Sequence, residues 1–484
     1  MAEVKAGRLS FFVGLLLVCF SGCALVQPTD PLAPVPGFKA YGSLPPPTQP
    51  PPAVKAVEAQ GPLTLERCLE VALANNPEVA ATNWEVAASQ ARLDQAKAAR
   101  WPTLTYEGSY TKYLNSRPLA EARFNNERRI FSKQLARGDV LLKLPLFTGG
   151  RIINEIKAAE LQRLAEQNRL SRTRDELVFN VSSTFYSILG QEKVVESLKF
   201  SLKAMEEQRR KMAKMVEVAK AARVDLLRTE VRVADLEQSL AKEENLLELQ
   251  KRVLATLLGL EPEKPPVQLT GRLSFEHLKF DVPQLVAKAL GQRPDFNAAR
   301  ERLAAQARKV DAARAGHWPT VNLVGSYGYR GTGALDVLDQ RLAKHSTERG
   351  PLYDDDGTLG ITLSLPLFEG GRISAKVREE IDLLAAAQER LRKLNLQIRQ
   401  EVESAVLDIS SAGQRVKALE KSLEQAQESL RVETLKYNLS AGTITDVLDA
   451  QAALLATETS YYRALADFRT ALARLQLALG GNLS

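Results

Sequence analysis

The sequence says most things twice. Asn76-Pro77 is answered by Arg293-Pro294, and Trp101-Pro102-Thr103 by Trp318-Pro319-Thr320, both 217 residues later. Leu144-Pro145-Leu146-Phe147-Thr148-Gly149-Gly150-Arg151-Ile152 returns 221 residues later as Leu365-Pro366-Leu367-Phe368-Glu369-Gly370-Gly371-Arg372-Ile373. Asp225-Leu226-Leu227 likewise returns as Asp446-Val447-Leu448, and Leu258-Gly259 as Leu479-Gly480. The change of spacing places a net insertion of four residues between Thr320 and Leu365. Repetition over this length means one structural unit built twice. The two units are residues 63–270 and 271–484.

Each unit has the same internal order. A short helix comes first, Leu65 to Ala74 or Val282 to Leu290. Pro77 or Pro294 starts a second helix, where a missing N–H costs nothing. That helix runs to Arg100 or His317, and Trp-Pro-Thr breaks it. Two alternating segments follow in each unit, at about 103–113 and 139–147, then 320–330 and 359–368. Leu104, Tyr106 and Tyr110 share one side and Thr105, Glu107, Ser109 and Thr111 the other; Ile361, Leu363 and Leu365 oppose Thr362 and Ser364. A period of two with one apolar face predicts half-buried strands. At about ten residues each they are long enough to cross a bilayer. A small soluble hairpin packed on a helix is the other reading of the same pattern. Leu114–Gly138 and Arg330–Thr358 read as polar loops between paired strands, with Asp354-Asp355-Asp356-Gly357 as the clearest turn.

Heptads fill the rest. From Leu177 a 4-3 spacing runs through Val181, Ile188, Val195, Leu198, Leu202, Met205 and Met212 to Val216, interrupted at Thr184, Gln191 and Arg209. The second unit carries Val402, Ala405, Ile409, Ala412, Val416, Leu419, Leu423, Ala426, Leu430 and Tyr437, interrupted at Glu433. Such periodicity predicts coiled-coil packing. Some 65 residues at 1.5 Å each give a helix about 100 Å long, with a returning helix antiparallel beside it. The fold class expected is mainly α with a small β part: an internally duplicated protomer with long antiparallel coiled-coil helices and four membrane β-strands.

The N-terminus reads as an export signal over residues 1–22. Lys5 and Arg8 are its positive region, Phe11 to Phe20 its apolar run, and Ser21-Gly22 the small residues before cleavage. Phe20-Ser21-Gly22-Cys23 resembles the bacterial lipobox, which implies a lipid on Cys23. Residues 23–62 are proline-rich, a lipid-anchored linker that can form neither helix nor central strand. The three cysteines, Cys19, Cys23 and Cys68, are too few and irregular for a disulfide framework or zinc site. His277, His317 and His345 have no metal-ligand spacing, and no cofactor is expected. The net charge of +7, 65 basic against 58 acidic residues, is spread along helical faces, so no nucleic-acid partner is expected. No nucleophile–base set, HExxH or paired-carboxylate constellation marks an enzyme.

Four membrane strands cannot close a barrel, and an open edge in lipid leaves backbone groups unpaired at several kcal/mol each. The smallest outer-membrane barrels have eight strands. The chain must therefore oligomerise; three copies give twelve strands. The duplicated order of Trp-Pro-Thr, Leu-Pro-Leu-Phe-x-Gly-Gly-Arg-Ile and Asp446-Val447-Leu448-Asp449-Ala450-Gln451 resembles the TolC-like outer-membrane efflux proteins, in their lipoprotein (OprM/NodT-like) branch. The resemblance covers about Leu63 to Gly480. It implies a homotrimer, a 12-stranded barrel, a periplasmic α-helical tunnel, and docking to a periplasmic adaptor protein and an inner-membrane pump. It also implies that the adaptor meets the hairpin tips, Val218, Ala219, Lys220 and Ala221 in one unit and Leu439, Ser440, Ala441 and Gly442 in the other. Type I protein secretion and a lipid-anchored coiled-coil scaffold without a pore are the alternatives. Asp225 and Asp446 stand just after the tips with no basic residue four positions on, which makes them candidates for helix caps or for a gate.

Overall fold

The computed structural model describes residues 62–120, 130–261, 268–331, 353–439 and 441–481, all within one compact unit, Val54–Ser484. The signal segment, Cys23 and the proline-rich linker up to residue 61 lie outside the described residues, as does Ser440. The first unit runs α1 (Leu65–Asn75), α2 (Pro77–Ala98), β1 (Thr103–Ala120), β2 (Ile130–Phe147), α3 (Arg151–Glu217) and α4 (Arg223–Leu257). The second runs α5 (Val282–Gln292), α6 (Pro294–Arg314), a 3-10 turn (Ala315–His317), β3 (Thr320–Gly331), β4 (Tyr353–Ser364), α7 (Arg372–Asn438) and α8 (Ile444–Leu479).

Local signals account for the boundaries. Pro77 and Pro294 are the first residues of α2 and α6. The Asn76 side chain caps α2 by accepting from the Glu78 and Val79 N–H groups at 2.9 and 3.3 Å. Before α3 and α7 stand Gly149-Gly150 and Gly370-Gly371, all four at positive φ. Two successive left-handed residues turn the chain from sheet to helix, a backbone path that a Cβ penalises. α3 and α7 are both 67 residues long, about 100 Å.

The heptad stripes are the core. Leu177, Val181, Ile188, Val195, Leu198, Met205 and Met212 are all buried on α3, and Val402, Ala405, Ile409, Ala412 and Val416 on α7. Gln191, which interrupts the first stripe, is buried with its amide donating to Glu243 Oε2 at 2.7 Å and to the Glu243 carbonyl at 3.0 Å. Arg463 of α8 closes the group with an ion pair to Glu243 at 2.9 Å. Cys68 is free and fully buried, and burial, aided by Glu66, pushes its thiol up to about 11.

The four strands form one antiparallel sheet in the order β1-β2-β3-β4. Leu104, Tyr106, Leu359, Ile361 and Leu363 leave an apolar face exposed. The strands depart from the expected bounds. β1 and β2 extend to Ala120 and back to Ile130, through most of the expected loop. Asp354-Asp355-Asp356-Gly357, expected as a turn, lies in β4 opposite Arg330, Tyr329, Gly328 and Tyr327, in continuous register with β3. β4 ends at Ser364 rather than near 368, since its last partner is Thr320, where β3 begins, and Pro366 has no N–H to donate.

Candidate functional site: the tips of the helical hairpins

Both hairpins end in one and the same turn. The Lys220 N–H donates to the Met215 carbonyl at 2.7 Å, and its repeat equivalent, the Ala441 N–H, to the Lys436 carbonyl at 2.9 Å. This six-to-one bond is the mark of a Schellman ending, which places the residue just before the donor in the left-handed region. In the first tip that residue is Ala219, at φ 57°, the only non-glycine at positive φ among the described residues. Gly442 has an ordinary φ; a Cβ there would come within 3.1 Å of the Lys436 Cβ, so closeness rather than conformation favours glycine. Ala221 takes the equivalent place in the first tip and packs against the tip core of Met205, Met212, Val233, Ile444 and Val447. Val218 and Leu439 point outward, 61% and 70% exposed.

The two aspartates have different partners. Asp446 completes a capping box on α8: its carboxylate accepts from the Thr443 N–H at 2.9 Å and hydroxyl at 2.7 Å, while its own N–H donates to Thr443 Oγ1 at 3.3 Å. Those bonds from Thr443 hold its carboxyl below the usual range. In the first unit Ala222 replaces Thr443, α4 has no side-chain cap, and Asp225 instead faces Arg228 at 4.0 Å. Arg228 donates across the tips to Thr445 Oγ1 at 2.9 Å, joining α4 to α8. Burial, reinforced by the charge of Asp225, raises the Tyr437 hydroxyl on α7. Asp225, Arg228, Tyr437 and Thr445 thus bring three of the four tip helices together. The cap is legible in Thr443-Ile444-Thr445-Asp446; the link through Arg228 joins residues 217 positions apart and carries no local signal. Among the described residues no group of three or more His, Cys, Asp or Glu is placed to hold a metal, and no helix is long and apolar enough to cross a membrane.

Residues 68–260 and 285–481 match the family described as outer membrane efflux protein, once in each unit. The chain belongs to that family. It is an outer-membrane channel component of a tripartite efflux system. Among curated relatives it is 24% identical to the outer membrane efflux protein BepC of Brucella suis over 417 residues, 86% of this chain and 85% of the relative. It is 23% identical to nodulation protein T of Rhizobium leguminosarum over 419 residues, 85% and 84% of the two chains. Among solved structures, VceC of Vibrio cholerae superposes with a TM-score of 0.70 at 21% identity, covering 87% of this chain and 97% of that one. CusC superposes with a TM-score of 0.72 at 19% identity, covering 90% and 98%. These likenesses confirm the mainly α fold with its small antiparallel sheet.

Proposed function

We propose that three copies of this efflux protein close a 12-stranded barrel in the outer membrane and continue below it as a helical tunnel. The carrying observation is the four-stranded sheet with an exposed apolar face, in which β1 and β4 are end strands. An end strand in lipid leaves a row of backbone groups unpaired, so the sheet is stable there only when closed. A lipid on Cys23 adds a second anchor, and the proline-rich linker lets the body stand away from it. The tips around Val218 and Leu439 expose small and apolar residues beside the charged Lys220, and on this surface a periplasmic adaptor docks, which in turn meets an inner-membrane pump. Efflux and type I protein secretion use the same passive wall; the family's description favours efflux.

Asp225 and Asp446 act as a constriction at the tunnel mouth. In a trimer they bring six carboxylates towards the axis; Asp446 is exposed and Asp225 half-exposed. Planar-bilayer recording tests this. Asp225→Asn with Asp446→Asn removes the charge while an amide oxygen at position 446 still accepts from Thr443. Conductance or cation block should change and thermal stability should stay nearly constant. Unaltered conductance and selectivity would leave Asp446 only its capping role and Asp225 only its pairing with Arg228. For the anchor, Cys23→Ser should abolish fatty-acid labelling; persistent labelling would exclude Cys23.

A further inference from the structure

The positive charge that the sequence scatters over distant helices collects at one level of the fold. Each strand joins a helix through a short passage: α2 enters β1, β2 leaves into α3, α6 enters β3, and β4 leaves into α7. Over bounds that are equivalent in the two units, these passages are residues 91–103, 147–157, 308–320 and 368–378. They hold eleven of the 65 basic residues and only four of the 58 acidic ones, so the rest of the chain carries 54 of each. The whole net charge of +7 therefore sits in about a tenth of the sequence.

The sheet sets the four passages side by side. Thr103 pairs with Lys143, Phe147 with Val321, and Thr320 with Ser364, so the helix-side ends of all four strands share one edge of the sheet. Beyond that edge α2 packs on α3, α3 on α6, and α6 on α7. All eleven cations are exposed. Arg151, Arg308, Arg314, Arg372 and Lys376 each have a carboxylate on their own passage or its next turn, the first four from Glu155, Asp311 and Glu369. Arg92, Lys97, Arg100, Lys157 and Arg378 have no ion-pair partner among the described residues. Exposed rings stand at the same edge: Trp101 is 72% exposed, Trp318 60% and Phe368 89%. Tryptophan in such a position favours the boundary between lipid and water, with its ring in the acyl region and its N–H among the headgroups. Cations one or two helical turns beyond it then lie at the depth of lipid phosphates.

We propose that this basic collar binds anionic phospholipid headgroups of the inner leaflet of the outer membrane. The ligand class is a phosphodiester with no amine of its own, as in phosphatidylglycerol. Phosphatidylethanolamine and phosphatidylcholine carry a cationic group that neutralises their phosphate, and the unpaired cations gain less from them. The collar and the rings divide the work. The rings set the depth of the sheet in the bilayer, and the cations choose which lipids surround its periplasmic end. The proposal rests on the membrane reading of the sheet and adds a lipid preference to it. One basic side chain at an anionic membrane surface favours binding by about fivefold.

Tryptophan quenching reads the lipids at the collar directly. The chain has three tryptophans, and Trp84→Phe leaves only Trp101 and Trp318. Full-length protein with this substitution is purified from outer membranes and reconstituted in mixtures of phosphatidylcholine and phosphatidylglycerol, with one or the other brominated in its acyl chains. The relative association constant should favour phosphatidylglycerol by about fivefold at low salt. It should fall as salt shortens the screening length from about 10 Å at 0.1 M to about 3 Å at 1 M. Changing Lys97, Arg100, Lys157 and Arg378 to Gln should bring the constant towards one, with helix content by circular dichroism unchanged. Changing Lys203, Arg210, Lys211 and Lys214 to Gln removes as many charges about 70 Å farther along α3 and should leave the constant as it was. Equal association of the two lipids with the unaltered collar overturns the proposal and leaves the membrane reading standing. So does a preference that the collar variant keeps, or that both variants lose alike. Fluorescence quenched by neither brominated lipid overturns the membrane reading and the collar together.

Discussion

At the scale of single residues, the repeat conserves a task and changes the side chain that performs it. Asn76 precedes α2 and donates to the Leu257 carbonyl at the end of α4, at 2.9 Å. Its equivalent, Arg293, precedes α6 and reaches the Ala478 carbonyl at the end of α8, at 3.3 Å. Each ties the start of one helix to the otherwise unpaired end of another. Arg293 is 1% exposed, and its charge is balanced by Asp295 at 2.6 Å and Glu401 at 2.5 Å. Removing one partner of a buried ion pair typically costs about 3–5 kcal/mol. Glu401 is half exposed, so Arg293→Met should lose somewhat less, about 2–3 kcal/mol, by urea unfolding followed by circular dichroism. Burial alone would raise the Asp295 carboxyl, but the bonds from Arg293 outweigh it and hold the group below the usual range. A depressed carboxylate contributes stability that is present above its unfolded pKa and lost as pH falls through the folded one. The gap between wild type and Arg293→Met should therefore be full at pH 7 and narrow below about pH 4; a gap independent of pH would contradict the pairing. The Asn76-Pro77 and Arg293-Pro294 pairs were legible as helix starts. Their grip on a carbonyl 181 or 185 residues away was not, because it is a purely tertiary contact.

At the scale of elements, the long helices were plain in the heptads, and most of the stripe predicted from Leu177 onward is buried, with Leu202 and Val216 only partly so. The strands were plain in their alternation but not in their length, since polar residues at a strand's outer end look like loop until a partner strand is known. Close helix contacts were also hidden. Gly190 of α3 lies where a Cβ would stand 2.8 Å from the Ala466 Cβ of α8, whereas Gly291 of α5 has nothing within 4 Å. Alanine is favoured over glycine inside a helix by about 1 kcal/mol, while overpacking a close crossing costs about 1–3 kcal/mol. The same substitution should then have opposite signs. Gly190→Ala should destabilise by about 1 kcal/mol net, and Gly291→Ala should stabilise by up to about 1 kcal/mol, in parallel thermal melts. Equal shifts in the two variants would show that α3 and α8 do not cross at Gly190 as closely as described.

At the scale of the whole molecule, the sequence led to the expectation that one chain is too little to close a barrel. Two units supply four strands, and β1 and β4 remain end strands of the sheet. The long helix of the second unit lies partly bare where that of the first is covered. An exposed apolar sheet face and a bare helix flank are two expressions of one deficit, which the proposed closure by further copies would remove. Nothing in the tips or the sheet names a cargo, consistent with a wall that guides rather than recognises. The central claim is closure by three copies, and native mass spectrometry of the chain extracted from outer membranes in mild detergent tests it most directly. The account predicts one dominant species of three copies. A stable monomer or dimer as the dominant species would contradict it.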